Sequence, residues 1–182
     1  SGLRSSVQKG VLNTKLGVPF RTPAEGQNIA FTSLWDNYPD SLTVSLKGKA
    51  SRAYLLMAGS TNQMQCHIDN GLIRVYYKDG TCDKMALRNP DNWAPIEHIF
   101  FEDGLAFNRH APALYRLRLK TGEISNNFGE ELGFPGASRE LDGGAAILLE
   151  MPLNPDKKLS HLVLETLSND VVIGLMGITL QR

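Results

Sequence analysis

Residues 42–59 read LTVSLKGKASRAYLLMAG, and two kinds of strand lie in that one stretch. In LTVSL, the apolar Leu42, Val44 and Leu46 alternate with Thr43 and Ser45, the period-2 pattern of a strand with one face on a core. RAYLLMAG (52–59) is instead apolar almost throughout, as a central strand of a sandwich is, and AAILLEM (145–151) repeats that pattern. HLVLETL (161–167) and VVIGLMGITL (171–180) flank SND (168–170), which reads as a hairpin turn. No stretch of about 12 residues or more carries a capped apolar stripe at helical spacing. Short strands between Gly, Pro, Asn and Asp clusters point to an all-β chain, a β-sandwich or jelly roll with little helix. Without a repeat, a low-complexity tract or a linker, residues 1–182 read as one domain.

The exception is KTGEISNNFGEELGFPGASRELDGG (120–144), a long stretch with no clear strand, carrying Phe128 and Phe134. Stretches of this length inside a domain are often functional. A short helix, a lid over one end of the sandwich and an ordered crossover between sheets all fit it.

QMQCHIDNGLIRVYYKDGTCDKMAL (63–87) reads as three strands joined by tight turns at Asn70-Gly71 and Asp79-Gly80. That arrangement puts Cys66 and Cys82 on the outer strands, with Cα atoms roughly 10 Å apart or more. A disulfide needs less than about 7 Å, so two free thiols are expected.

Composition narrows function. Lys plus Arg and Asp plus Glu number 19 each, so the net charge is zero and the basic excess of a nucleic-acid module is missing. The bases in YRLRLK (115–120) alternate with Tyr115, Leu117 and Leu119 and read as the exposed face of a strand. The longest apolar run, VVIGLMGITL, has 10 residues, half of the roughly 20 that span a bilayer. The start, SGLRSS, has neither an initiator Met nor an apolar signal core, and reads as a mature or excised fragment.

Catalytic signatures are scarce. There is no G-x-S-x-G elbow, P-loop, G-x-G-x-x-G or H-E-x-x-H. SVQK (6–9) matches S-x-x-K without the partner motifs that chemistry requires. His67, His98, His110 and His161 lack metal-ligand spacing and read as surface or satisfied strand residues. A glycosidase needs two carboxylates roughly 5–10 Å apart. Glu97 with Glu102 or Asp103, and Glu130 with Glu131, are candidates that nothing in the sequence pairs.

Binding is better represented. SLWDNYPDS (33–41) sets Trp35 and Tyr38 among Asp36, Asn37, Pro39 and Asp40, in turn chemistry. RNPDNWAPIEH (88–98) sets Trp93 beside Asn92, Glu97 and His98, and AGSTNQMQ (58–65) adds further polar loop residues. Sugars suit such surfaces, because their C–H faces stack on aromatic rings while amides, carboxylates and imidazoles meet the hydroxyls. Either tryptophan could equally plug an open end of the sandwich. The Asp/Asn-rich loops also raise a structural calcium, although no run has the spacing of a dedicated loop for its about six to eight oxygen ligands.

LGVPFRTP (16–23), then NIAFTSLWDNYPDSLTVSLKGKASRAYLLMAGSTN (28–62), resembles the galactose-binding-like jelly-roll domains attached to many bacterial carbohydrate-active enzymes. VYYKDGT (75–81), LRNPDNWAPIEH (87–98) and the closing LETLSNDVVIGLMGITL (164–180) are similar to a gut-bacterial family of sugar-binding or glycosidase-associated proteins. The resemblance implies a sandwich with its ligand site in loops at one end, often with a structural calcium, in a secreted or periplasmic protein. The expected function is then a non-catalytic carbohydrate-binding accessory domain. Trp35, Tyr38 and Trp93 would stack on sugar, and Asp36, Asn37, Asn92, Glu97 and His98 would bond to it. The alternative is an interdomain module packed against a catalytic domain of the same parent protein.

Overall fold

The computed structural model describes residues 2–23, 25–99, 108–131 and 140–182. Its strands form three antiparallel sheets. The largest runs, in spatial order, β10 (Ile124–Ser125), β9 (Tyr115–Arg118), β11 (Ala145–Pro152), β6 (Arg52–Thr61), β13 (Val171–Gln181) and β4 (Ala30–Ser33). Facing it is a four-stranded sheet of β5 (Ser41–Ser45), β12 (Leu159–Thr166), β7 (Asp69–Tyr77) and β8 (Cys82–Arg88). A small third sheet comprises β1 (Val7–Gln8), β2 (Val11–Asn13) and β3 (Pro19–Arg21). Among the described residues helix is confined to α1 (Phe128–Glu131) and 3-10 turns at Gly2–Ser6 and Gln63–Gln65. Among the described residues no helix is long and apolar enough to cross a membrane.

The chain is all-β, and the continuous apolarity of its central strands has a direct cause. Successive side chains of a strand leave on opposite faces. On β6, Ala53, Leu55 and Met57 enter the core between the two large sheets, with Ile73, Val75, Leu162 and Leu164. Leu56 and Ala58 leave on the other face, under Leu3, Leu12, Val18 and Phe20 of the N-terminal segment and small sheet. β11 divides in the same way, Ile147 and Leu149 inward and Ala146 and Leu148 outward. On β13 a bulge between Leu175 and Gly177 shifts the register, so that Ile178 and Leu180 still reach the inner core. β5, an edge strand with one buried face, keeps the alternation of LTVSL, with Leu42 and Val44 against the core.

Four sequence expectations are corrected. Asn70-Gly71 lies inside β7, not in a turn. A Cβ at Gly71 would collide with Ile173 Cδ1 of the facing sheet and lie 2.9 Å from the Glu165 carbonyl, so this glycine serves close packing. Buried Asn70 accepts from the Thr61 hydroxyl at 2.6 Å and donates to the Gln65 and Ile68 carbonyls. Asp79-Gly80 does make a hairpin turn, but Tyr77 pairs with Thr81 around a three-residue loop with Gly80 at φ 85°. Cys82 therefore sits opposite Tyr76, whereas a two-residue loop would have set it opposite Tyr77. Cys66 lies outside the strands, bridged to Asn89, and neither cysteine forms a disulfide among the described residues.

SND (168–170) is not a hairpin: β12 pairs with β5 and β7, while β13 pairs with β4 and β6. The segment is a corner between the two sheets, turned by Asp170 at φ 55° and held by the Ser168 hydroxyl on the Asp69 carbonyl. The fourth correction concerns YRLRLK, where Arg116 is buried and Tyr115 is exposed.

At the far end of the sandwich, Tyr77 is buried at 3% exposure, donating to the Asp83 carboxylate and accepting from the Asn154 amide at 2.8 Å. Burial, and then the bond to Asp83, push its hydroxyl up to about 12. An acid whose folded pKa is raised stabilises the fold fully below its unfolded value, about 10, and loses that contribution as the pH rises to about 12. Tyr77→Phe is expected to cost about 1–2 kcal/mol at neutral pH. Urea unfolding across alkaline pH checks the rest: the wild type should lose stability in that window more steeply than the variant.

Candidate functional site

The loop joining β4 to β5 carries the first aromatic segment, and its base is held by Ser33. The Ser33 amide donates to the Pro39 carbonyl at 3.0 Å, and its hydroxyl donates to the Val171 carbonyl at 2.8 Å. The Tyr38 amide closes the turn on the Trp35 carbonyl at 2.9 Å. So pinned, the loop displays Trp35 at 49% exposure. The Trp35 and Tyr38 rings stand 6.4 Å apart, and Tyr38 meets Phe31 edge-on at 6.3 Å. Asp36 and Asn37 are exposed at the tip of the same loop.

Beside these rings runs a groove on the outer face of the six-stranded sheet. A cavity of about 520 Å³ is lined by Arg4, Gln27, Asn28, Ile29, Phe31 and Tyr38. A second, of about 380 Å³, shares Arg4, Asn28, Ile29 and Phe31 and reaches Ile96 and Met176. Gly174 makes this wall possible, since a Cβ there would collide with Ile29 Cδ1 and come within 2.8 Å of the Phe31 ring. Arg4 is fixed across the groove by donating to the Gly26 carbonyl at 2.8 Å. The result is an aromatic and aliphatic trough with an arginine and two amides at its edge, the usual make-up of a small-ligand site.

Strand register puts the other candidate loops at the same end. Ser33 pairs with Val172, and Val171 with Thr61, so residues 34–40 and 62–68 leave the sheet together. Arg88 pairs with Asp69, which brings the start of 88–98 to that end too. The residues of this last segment, however, have other tasks. Trp93 is fully buried in the inner core, its ring 3.0 Å from where a Gly59 Cβ would sit. It is a core plug and not a stacking surface. Asn92 spends its side chain on the turn, accepting from the Arg88 amide at 2.7 Å and donating to the Ala86 carbonyl at 2.8 Å. Glu97 and His98 are half-buried, and their backbones tie to Leu141 and Glu140. Trp35, Asp36, Asn37 and Tyr38 are thus brought together, while Asn92, Trp93, Glu97 and His98 form a separate, structural strap.

Arg116 anchors that strap. Its guanidinium donates to the carbonyls of Pro95 at 2.9 Å, Ile96 at 3.2 Å, Ala145 at 3.0 Å and His98. The Ile96 amide reaches the Gly59 carbonyl at 2.9 Å and the Ala145 amide reaches the Ile96 carbonyl at 2.8 Å, so Ile96 sits between β6 and β11 where they part. Burial draws the guanidinium down to about 10, with Glu97 opposing, and leaves it charged at neutral pH. The alternating bases of YRLRLK concealed it, because period-2 patterning cannot tell solvent from a gap filled by one long side chain.

Of the proposed carboxylate pairs, Glu102 and Asp103 lie outside the described residues, as does Phe134; the side chains of Glu130 and Glu131 lie outside them too. For a metal, one group of His, Cys, Asp and Glu converges among the described residues: His67, Asp91 and His110. Two imidazoles and one carboxylate do not fit calcium, which takes oxygen donors. Fold and site together define an all-β sandwich with an aromatic groove at one end. No protein-family model, curated protein or solved structure matches the chain.

Proposed function

We propose that this sandwich is a non-catalytic carbohydrate-binding module of the galactose-binding-like jelly-roll kind, acting in a secreted or periplasmic setting. The observation that carries the reading is Trp35, half exposed with its ring 6.4 Å from that of Tyr38, which itself lines a groove with Asn28, Gln27 and Arg4. Holding a large ring in water on a pinned loop forgoes the burial that rings otherwise gain. A pyranose face laid on Trp35 regains it, while Asp36, Asn37 and Asn28 take hydroxyls. A neutral sugar also suits a chain of zero net charge. Calorimetry against a glycan panel tests this. Wild type should bind at least one glycan, with Trp35→Ala weakening it about 10-fold or more, the worth of one stacked ring or slightly above. Binding unchanged in Trp35→Ala would discard the site.

A second reading has its own observation. Leu34, Trp35, Met64, Ile68 and Leu167 are all exposed large apolar residues, and all belong to the loop end. Such a collection also suits packing against a neighbouring domain, such as a catalytic domain of a parent protein. Glycan binding that depends on Trp35 favours the first reading.

A further inference from the structure

We propose that His67, Asp91 and His110 form a site for a divalent first-row transition ion of the zinc type. Each residue offers one ligand atom, and the three atoms lie within 4.8 Å of one another. Around zinc, bonds of about 2.0–2.2 Å in a tetrahedron set ligand atoms about 3.3 Å apart. Small side-chain rotations close that difference, and Asp91 Oδ2 already lies 3.8 Å from His110 Nδ1. The imidazole rings are 5.0 Å apart between centroids and tilted by 41°, a convergence and not a stack.

The backbone assembles this set from three distant places. The His67 amide donates to the Asn89 carbonyl at 2.8 Å, which docks it two residues from Asp91. The His110 amide donates to Asp91 Oδ1 at 2.7 Å, which orients the carboxylate and turns its other oxygen towards the imidazoles. His67 is held at φ 58°, a left-handed conformation uncommon for a residue with a side chain. Arg88, a cation near Asp91, directs its Nε–H to Asp69 at 2.5 Å.

Two imidazoles with one carboxylate choose among metals. Calcium and magnesium prefer oxygen sets, whereas imidazole suits zinc and its first-row neighbours. Three protein ligands leave a fourth position, and exposed His110 puts it on the solvent side for a water or an external donor. The plain alternative is a His110–Asp91 ion pair with His67 beside it, which needs no metal.

Zinc titration of chelator-treated protein, in competition with a chromophoric chelator, separates the two. Wild type should take up one equivalent of Zn²⁺. His110→Ala, at an exposed residue, and His67→Asn, which keeps a residue tolerant of left-handed backbone, should each weaken uptake about 100-fold or more. His161→Ala, at a β12 residue whose ring stacks on Tyr76 of β7, should leave it unchanged. The wild type with Co²⁺ should show a visible absorption band that both His variants lose. No saturable Zn²⁺ uptake by the wild type, uptake that survives both variants, or uptake that depends on Cys66 instead, shown by Cys66→Ser, would overturn the site.

Discussion

Arg116→Met is expected to lower the unfolding free energy by about 3–5 kcal/mol, although it keeps a long, unbranched and flexible side chain at that position. The variant leaves the carbonyls of Pro95, Ile96, His98 and Ala145 facing an apolar thioether. A buried acceptor stripped of its donor costs about 1–3 kcal/mol, and some of these four relax towards water. For a chain of this size the loss corresponds to a fall in Tm of roughly 6–20 °C. Arg116→Lys should fall between, because an ammonium is a point charge that cannot bridge four carbonyls with a planar fork. Thermal and urea unfolding of the three proteins checks the ranking. A Met variant within about 1 kcal/mol of wild type would mean that the strap holds without its anchor.

The second large effect concerns the other end of the same strap. Trp93→Ala should cost about 3–5 kcal/mol, the range for truncating a large buried aromatic. The ring lies in the inner core and faces a glycine, Gly59, whose missing side chain makes its room. Neighbours with little to move leave most of the void unfilled. Among the described residues the indole nitrogen has no hydrogen-bond partner, so Trp93→Phe should lose volume alone and cost clearly less. Trp35→Ala, by contrast, should stay within about 0.5 kcal/mol of wild type, as exposed substitutions do. Chemical unfolding of the three variants gives the comparison, and equal losses from Trp35→Ala and Trp93→Ala would reverse the assigned roles.

These two tryptophans show how far the sequence could be read. Both lie in turn-like segments among Asn, Asp and Pro, and local chemistry treats them alike. What separates them is non-local. Ser33 pins one loop outward through Val171, and Arg116 pulls the other segment in beside β11. The strands themselves were legible, since alternation in LTVSL and unbroken apolarity in RAYLLMAG and AAILLEM report how many faces each strand buries. Pairing was not. Asn70-Gly71 has the composition of a tight turn, yet the glycine answers to Ile173 of the opposite sheet and the asparagine to Thr61. The hairpin expected at 168–170 failed for the same reason, because two adjacent apolar runs do not say whether they share a sheet. His67 and His110, separated in sequence and without a ligand motif, become neighbours only through Asn89 and Asp91.

The most direct test of the proposed function uses the exposure of Trp35. Emission of the wild type and of Trp35→Phe is recorded with a soluble quencher while each glycan of a panel is titrated in. Trp93 is buried in both proteins, so the quenchable part of the wild-type signal belongs to Trp35. A sugar face on that ring should change the emission saturably and shield it from quencher, with no response in Trp35→Phe. If no glycan protects Trp35, or the variant responds as the wild type does, the aromatic loop is not the sugar platform.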